Sequence, residues 1–172
     1  MKSEKVQGNC SCFWEVAKTL LEEDSKRHFP TVVAIFSKGV CVPSCEALKL
    51  LSAIRRAVKE VYPADAIAML QCNMAICSLE KIAANSDENK NRSFYEVTVD
   101  LLDEYPGRYI YTLAMIYARG IETSYGEAID LSLVFDLAEK NAKKYEQGSL
   151  TGKVLIALDQ AYRNLERQAM IN

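Results

Sequence analysis

Cysteine is the residue type in this chain whose number and spacing could support chemistry. Two pairs, Cys41 with Cys45 and Cys72 with Cys77, could together offer thiolates to a zinc ion. Structural zinc sites favour closely spaced cysteines on turns. Cys72 and Cys77 instead fall within one predicted helix, where their spacing turns them about 140° apart. We therefore interpret these cysteines as small buried hydrophobic residues, and we predict neither a metal nor another cofactor.

Nucleophilic catalysis would need a base beside a cysteine or serine, and the chain has one histidine, His28. The sequence places His28 at a helix end just before Pro30, where a cation would complement the helix dipole. It contains no nucleophile elbow, zinc-protease, phosphate-loop or dinucleotide-binding motif. We therefore predict a protein that is not an enzyme. A small cysteine-based metal-binding protein or enzyme remains an alternative.

Aromatic residues offer a candidate binding surface. Six of the nine tyrosines lie between residues 95 and 125, and Phe13-Trp14 adds a second aromatic anchor near the N-terminus. A tyrosine has an apolar ring and a polar tip, which suits a half-buried groove or an interface. The competing interpretation is core packing with hydroxyls that reach the surface. The candidate partner-binding residues are Tyr105, Tyr109, Tyr111, Tyr117, Phe13 and Trp14.

A cluster of cations, Arg55, Arg56 and Lys59, could contact nucleic-acid phosphates. The net charge of −2 gives the whole chain no attraction to nucleic acid or anionic lipid. The competing interpretation is a solvated helix face with ion pairs along it. A nucleic-acid-binding or transcriptional regulator is therefore an alternative function, and it requires these cations to join others in one continuous stripe.

The elements that carry these residues are predicted to be helices. Apolar side chains recur at three- and four-residue spacing, and prolines and glycines separate the segments. We expect an all-α bundle of six to seven helices. The two most apolar helices, near 64–82 and 108–119, should lie inside, with amphipathic helices around them. The first helix should end at His28-Phe29-Pro30, and Thr31–Phe36 should form a short helix before a turn at Lys38-Gly39.

The predicted organisation is a flexible N-terminal arm, 1–11, followed by one helical domain, 12–172. A polar segment at 85–92 is the candidate point of subdivision. The N-terminus has no apolar leader, and the most apolar run, 64–79, is shorter than a bilayer span and interrupted by polar residues. We therefore expect a cytoplasmic protein with reduced cysteines and no membrane contact.

One segment slightly resembles a helical hairpin of the tetratricopeptide kind. It contains Leu113-Ala114, Tyr117-Ala118 and Gly120, followed by Tyr125 and Ala128. In such hairpins small residues let two helices approach closely, and a tyrosine fills the angle between them. We find no second copy, and repeat folds need roughly three units to bury a continuous core. The expectation is therefore an ordinary helical hairpin.

The leading functional hypothesis is a non-enzymatic helical interaction protein. It would be an adaptor, chaperone, immunity or inhibitor protein that binds another protein through an aromatic-lined groove or a helix face. A homodimer is the expected oligomer, because two-fold homodimers are the commonest soluble assemblies. Nucleic acid is a less favoured partner. The hypothesis requires an exposed apolar patch, particularly around Tyr105–Tyr117.

Overall fold

The computed structural model describes residues 12–61, 66–84, 92–145 and 151–171, and these residues are all-α as predicted. Extended pairing in these ranges is confined to isolated bridge residues, Val40, Arg92 and Ile121, of which Val40 and Arg92 pair with each other. The helices are α1 (Phe13–Glu23), α2 (Ser25–Ser37), α3 (Ser44–Val61), α4 (Ala66–Ala83), α5 (Phe94–Glu104), α6 (Pro106–Ala118), α7 (Tyr125–Tyr145) and α8 (Gly152–Ile171). The predicted arm 1–11 and most of the polar segment 85–92 lie outside the described residues.

The described ranges hold eight helices rather than six or seven, and the boundary between the first two differs from the prediction. The expectation that the first helix runs on to His28-Phe29-Pro30 is wrong. Helix α1 ends at Glu23, and Asp24 caps α2 by accepting a hydrogen bond from the Arg27 amide at 3.4 Å. Pro30 lies inside α2 and removes one intrahelical donor. Burial of the apolar run up to Phe36 offsets that cost, and this run is helical as predicted.

The chain contains two copies of one helical segment, so the expectation of a single copy is wrong. Phe13 begins α1 and Phe94 begins α5, a spacing of 81 residues. The whole segment 13–61 aligns at this spacing without a gap. Each copy therefore contains two helices, a turn and a third helix in the same places. The turn glycines of the two copies, Gly39 and Gly120, both have positive φ, at 81° and 93°.

Buried positions carry most of the identity between the copies, because a packed interior tolerates few changes of volume. The pairs that are both identical and buried are Phe13/Phe94, Val16/Val97, Leu20/Leu101, Leu21/Leu102, Thr31/Thr112, Ile35/Ile116, Ala47/Ala128, Leu50/Leu131 and Ala57/Ala138. Helices α4 and α8 also align, at a spacing of 86 residues, through Ala75/Ala161 and Leu79/Leu165. We call α1–α4 the N-terminal repeat and α5–α8 the C-terminal repeat.

The chain divides into two compact units. One is Ala17–Thr98, and the other is Val99–Asn172 with the N-terminal residues up to Val16. In the first unit α2, α3 and α4 pack on one another, and in the second unit α6, α7 and α8 do the same. The unit boundary at 98/99 lies within α5, just after the predicted subdivision at 85–92.

The most enclosed helices are α2 and α6, not α4 and α6. Helix α6 buries most of its length, as predicted for 108–119. Helix α4 buries only Ala68, Cys72, Ala75 and Leu79, so the prediction of a central helix near 64–82 is wrong. The apolar composition of α4 is not needed for the core. By length and composition alone, α4 is also apolar enough to cross a membrane.

Candidate protein-interaction surfaces

The four candidate zinc ligands do not come together. Cys72 is buried in α4, whereas Cys77 is exposed on the same helix, as their helical spacing predicted. Cys41 and Cys45 are exposed near the start of α3. Burial raises the pKa of the Cys72 thiol, which keeps it protonated and makes it a poor metal ligand. In the described ranges, no three histidine, cysteine or carboxylate side chains are placed to hold a metal ion.

His28 lies inside α2 and not at a helix end. Its side chain is 3% exposed, and the residues Phe29 and Thr31 that follow it in the chain are buried as well. General base catalysis on an external substrate requires the imidazole to reach that substrate. The buried position therefore gives His28 a packing role in α2.

The tyrosines predicted to line a groove are divided between core and surface. Tyr109 and Tyr117 are each 1% exposed, and the Tyr117 ring packs edge-on against Phe135 with 5.7 Å between centroids. Tyr111 is half-buried, and Tyr105 is exposed with its ring 6.4 Å from that of Tyr109. The rings of Tyr109 and Tyr117 therefore belong to the core and do not line a binding groove.

The second predicted aromatic anchor is also mostly a packing element. Phe13 is buried, and the half-buried Trp14 meets it edge-on at 5.2 Å between centroids. The equivalent residue of the C-terminal repeat, Phe94, is buried as well. The shared burial of Phe13 and Phe94 shows that the repeat needs an aromatic ring at the start of its first helix.

The predicted basic cluster is exposed on α3 but is interrupted by carboxylates. The Arg55 Nη2 atom lies 2.7 Å from Glu80 Oε2 on α4. Arg56 lines a surface cavity of about 210 Å³ together with Glu60. Arg55, Arg56 and Lys59 also line one surface cavity of about 320 Å³ together with Leu48, Leu51 and Ser52. Because Glu80 pairs with Arg55 and Glu60 lines a cavity with Arg56, these contacts do not form the continuous basic stripe that the nucleic-acid hypothesis required.

Helix α4 exposes a continuous apolar face. Ile67, Leu70, Met74 and Cys77 follow one another at spacings of three, four and three residues, which places them on one side of the helix. Ile67 and Met74 are each 47% exposed, Leu70 is 61% exposed, and Cys77 is exposed. We call these four residues the α4 face. No charged residue occurs between Ala66 and Leu79.

Helix α7 exposes a second apolar face, formed by Tyr125, Ile129, Leu133 and Leu137 at four-residue spacing. Leu133 and Leu137 are 66% and 60% exposed. The opposite side of the helix is buried through Ala128, Leu131, Phe135, Ala138 and Ala142. Helix α7 is therefore packed on one side and apolar on the other. We call its four exposed residues the α7 face.

The repeat shows that the fold does not require apolar residues at positions 133 and 137 of the α7 face, although Ile129 has an exposed apolar equivalent, Leu48. Leu133 and Leu137 correspond to Ser52 and Arg56 of α3 at the 81-residue spacing. Both of these α3 residues are exposed, and α3 packs in its own unit as α7 does. A serine and an arginine are therefore compatible with this part of the fold.

The same comparison applies to the α4 face, at the 86-residue spacing between α4 and α8. The equivalents of Ile67, Met74 and Cys77 are Lys153, Gln160 and Arg163, all exposed on α8, whereas Leu70 corresponds to the exposed Ile156. Apolar side chains at positions 67, 74 and 77 are therefore not needed for packing. Exposed apolar side chains that folding does not require are typical of interaction surfaces.

Sequence reasoning missed the α4 face because it interpreted the whole apolar segment 64–82 as a buried central helix, and it did not single out the exposed leucines Leu133 and Leu137 of α7. The repeat alignment was the signal that could have separated these exposed residues from the core. Leu133 and Leu137 of the α7 face, and Ile67, Met74 and Cys77 of the α4 face, are apolar in one copy only, whereas Ile129 and Leu70 have exposed apolar equivalents, Leu48 and Ile156.

Comparison with known proteins adds no family or relative to this description. No family model matches the chain, and it matches no curated protein and no solved structure.

Proposed function

We propose that this protein is a non-enzymatic helical interaction module that binds another protein through the α4 face. One observation carries the proposal: Ile67, Met74 and Cys77 are apolar and exposed where α8 has polar residues. Burial of apolar surface is the main favourable term in protein association. An exposed apolar face with no role in folding is best explained by a partner that covers it.

The spacing of the α4 face indicates what kind of partner fits. Alternating three- and four-residue steps are the pattern of the a and d positions of a heptad, which pack against a second helix with the same pattern. The partner surface is therefore an amphipathic helix. Because α4 has no charge from Ala66 to Leu79, such a helix can bind without desolvating charged groups of α4. Met74 adapts its flexible side chain to the partner.

Helix α4 is held in place for this role by its inner side. Ala68, Cys72 and Ala75 are buried, and α4 packs against both α2 and α3. Inserting α4 into a bilayer would expose these contacts and the buried residues of α2. A face presented by a packed helix needs no rearrangement before binding, which lowers the entropic cost of association.

The test uses a synthetic helical peptide with leucine at its a and d positions and uncharged polar residues elsewhere. Its binding to the purified chain is measured by fluorescence anisotropy. The variant Ile67→Lys, Met74→Gln, Cys77→Arg takes the residues of α8 and is therefore expected to fold. We expect its affinity for the peptide to fall by about tenfold or more, because the variant removes three of the four apolar side chains of the α4 face. A tenfold loss of affinity corresponds to about 1.4 kcal/mol of binding free energy.

The matched control is Leu155→Gln, which changes an exposed leucine outside the α4 face and should leave the affinity unchanged. The natural partner is sought by affinity capture from cells with the original chain and the triple variant side by side. A protein retained only by the original chain must then bind it as a purified pair. Equal peptide binding by both chains, or binding of the original chain to lipid vesicles alone, would refute the proposal.

A further inference from the structure

The α7 face carries a charge pattern that specifies its partner. We infer that this face binds the α7 face of a second copy of the chain, with the two helices antiparallel. The inference concerns a different helix and a different partner from the proposed function. It rests on the apolar α7 face and on the order of charges along α7.

All acidic residues of α7 precede its basic residues: the acids are Glu127, Asp130, Asp136 and Glu139, and the bases are Lys140, Lys143 and Lys144. Asp130 is three residues before Leu133, and Lys140 is three residues after Leu137. In an antiparallel pair that sets Leu133 of one copy against Leu137 of the other, a two-fold axis places Asp130 opposite Lys140 twice. A parallel pair would instead set acid against acid and base against base. The order of charges therefore favours antiparallel self-association.

The helix dipole does not account for this order. It favours acids in the first turn and bases in the last turn, and its effect fades within those turns. Asp130 and Lys140 both lie outside them. In α3, Lys49 occupies the position of Asp130 and Arg55 that of Asp136. The fold therefore accepts the opposite charge at the positions of Asp130 and Asp136, whereas Lys140 has a lysine equivalent, Lys59, so it is these two acids that are specific to α7.

Ion pairs within α7 do not oppose the contact. Lys140 Nζ lies 3.1 Å from Asp136 Oδ2, and both side chains are largely exposed. Exposed pairs of this kind contribute little to stability, so Lys140 remains able to contact a second copy. From Tyr125 to Leu137 the face extends about 18 Å along the helix. One helix pair of this length buries less than a standard interface, so we expect a dissociation constant in the micromolar range.

Sedimentation equilibrium over about a hundredfold range of protein concentration tests the inference. The original chain is expected to show a monomer–dimer equilibrium. The variant Leu133→Ser, Leu137→Arg takes the residues of α3 and is expected to remain monomeric while it unfolds at a similar denaturant concentration. The control Leu155→Gln should dimerise like the original chain. A monomeric original chain, or an equally strong dimer of the double variant, would overturn the inference.

Charge reversal tests the antiparallel arrangement. Asp130→Lys and Lys140→Asp alone should each weaken the dimer by about threefold or more, because each change places like charges opposite one another at two sites. The combined variant restores opposite charges and should recover the original affinity within about twofold. No recovery would overturn the antiparallel arrangement. The leucine double variant should still bind the heptad peptide through α4, which separates failure of this inference from failure of the proposed function.

Discussion

In the N-terminal repeat the apolar outer face lies on the fourth helix, α4, whereas in the C-terminal repeat it lies on the third helix, α7. The interiors of the two repeats change much less, and residues such as Leu50 and Leu131 are identical and buried. Packing restrains the interior because each change of volume costs free energy. The surface is under no such restraint. The difference between the repeats therefore separates the residues that fold the chain from those available to bind partners.

The repeats also differ at their helix ends. In the C-terminal repeat, α5 has a capping box in which the Glu96 amide donates to Ser93 Oγ at 3.1 Å and the Ser93 amide donates to Glu96 Oε1 at 3.3 Å. The equivalent residues of α1 are Cys12 and Glu15. The N-terminal repeat keeps the glutamate but has a cysteine in place of the capping hydroxyl.

A further difference lies at the end of the second helix of each repeat. In the C-terminal repeat, Asn164 Nδ2 donates to the carbonyl oxygens of Tyr117 and Ala118, at 3.2 and 2.6 Å. These carbonyls lie in the last turn of α6, and that of Tyr117 also accepts from the Gly120 amide at 3.2 Å. The residue equivalent to Asn164 in α4 is Ser78, whose side chain is shorter. The same turn is therefore held by an amide side chain in one copy only.

The largest expected effect on stability comes from changes in the buried interior that the two repeats share. Leu50→Ala and Leu131→Ala remove equivalent, fully buried side chains, and each should lower the free energy of unfolding by about 2–5 kcal/mol. Leu133→Ala, on the α7 face, should change it by less than about 0.5 kcal/mol. Urea unfolding monitored by circular dichroism measures all three. A small loss of unfolding free energy in only one of the variants Leu50→Ala and Leu131→Ala would show that the two interiors are not equivalent.

The intermediate effect concerns the end of α6. Asn164→Ala removes the amide group that donates to the carbonyls of Tyr117 and Ala118. It should lower the free energy of unfolding by about 1–3 kcal/mol. Ser78→Ala, at the equivalent position in α4, should lower the free energy of unfolding by less than about 0.5 kcal/mol. The same unfolding assay gives both values. Equal costs would mean that the amide contacts of Asn164 do not distinguish the repeats.

The smallest effect concerns the capping of α1 and α5. Ser93→Ala should lower the free energy of unfolding by about 1 kcal/mol, because the Glu96 amide loses its acceptor. Cys12→Ser gives α1 the same capping box with Glu15 and should raise the free energy by about 0.5–1 kcal/mol. Thermal unfolding under reducing conditions measures the change in stability of both variants, Ser93→Ala and Cys12→Ser. A loss of stability in Cys12→Ser would show that α1 starts by a different mechanism.

Local patterns in the sequence predicted much of the fold. The three-to-four spacing of apolar residues predicted helices, and Ser93 and Glu96 have the sequence spacing of the capping box that the structure contains. Pro30 was misjudged because its local preference opposes a helix, whereas burial of the following residues in α2 outweighs that preference. The α4 helix was misjudged because apolar residues on all sides resemble a buried helix when no neighbour is known.

The candidate site was predicted less well, because residue type does not reveal which side of a helix is covered. Tyr109 and Tyr117 were candidates for a partner surface and lie in the core. Leu133 and Leu137 are exposed, although their spacing also suits a core helix. The alignment of the two repeats resolves this ambiguity for α7, since Ser52 and Arg56 mark its equivalent positions as surface.

The order of residues by itself determined that this chain forms helices, where most of them end, and that one segment occurs twice. These properties depend on neighbours within a few residues, or on direct comparison of two stretches of the chain. The tertiary structure decided which side of α4 and α7 packs against other helices and which side stays open, whereas the repeat alignment indicates this only at positions such as Leu133 and Leu137. Covering a helix depends on residues distant in sequence, so no local pattern could assign the faces on which the proposed interactions rest.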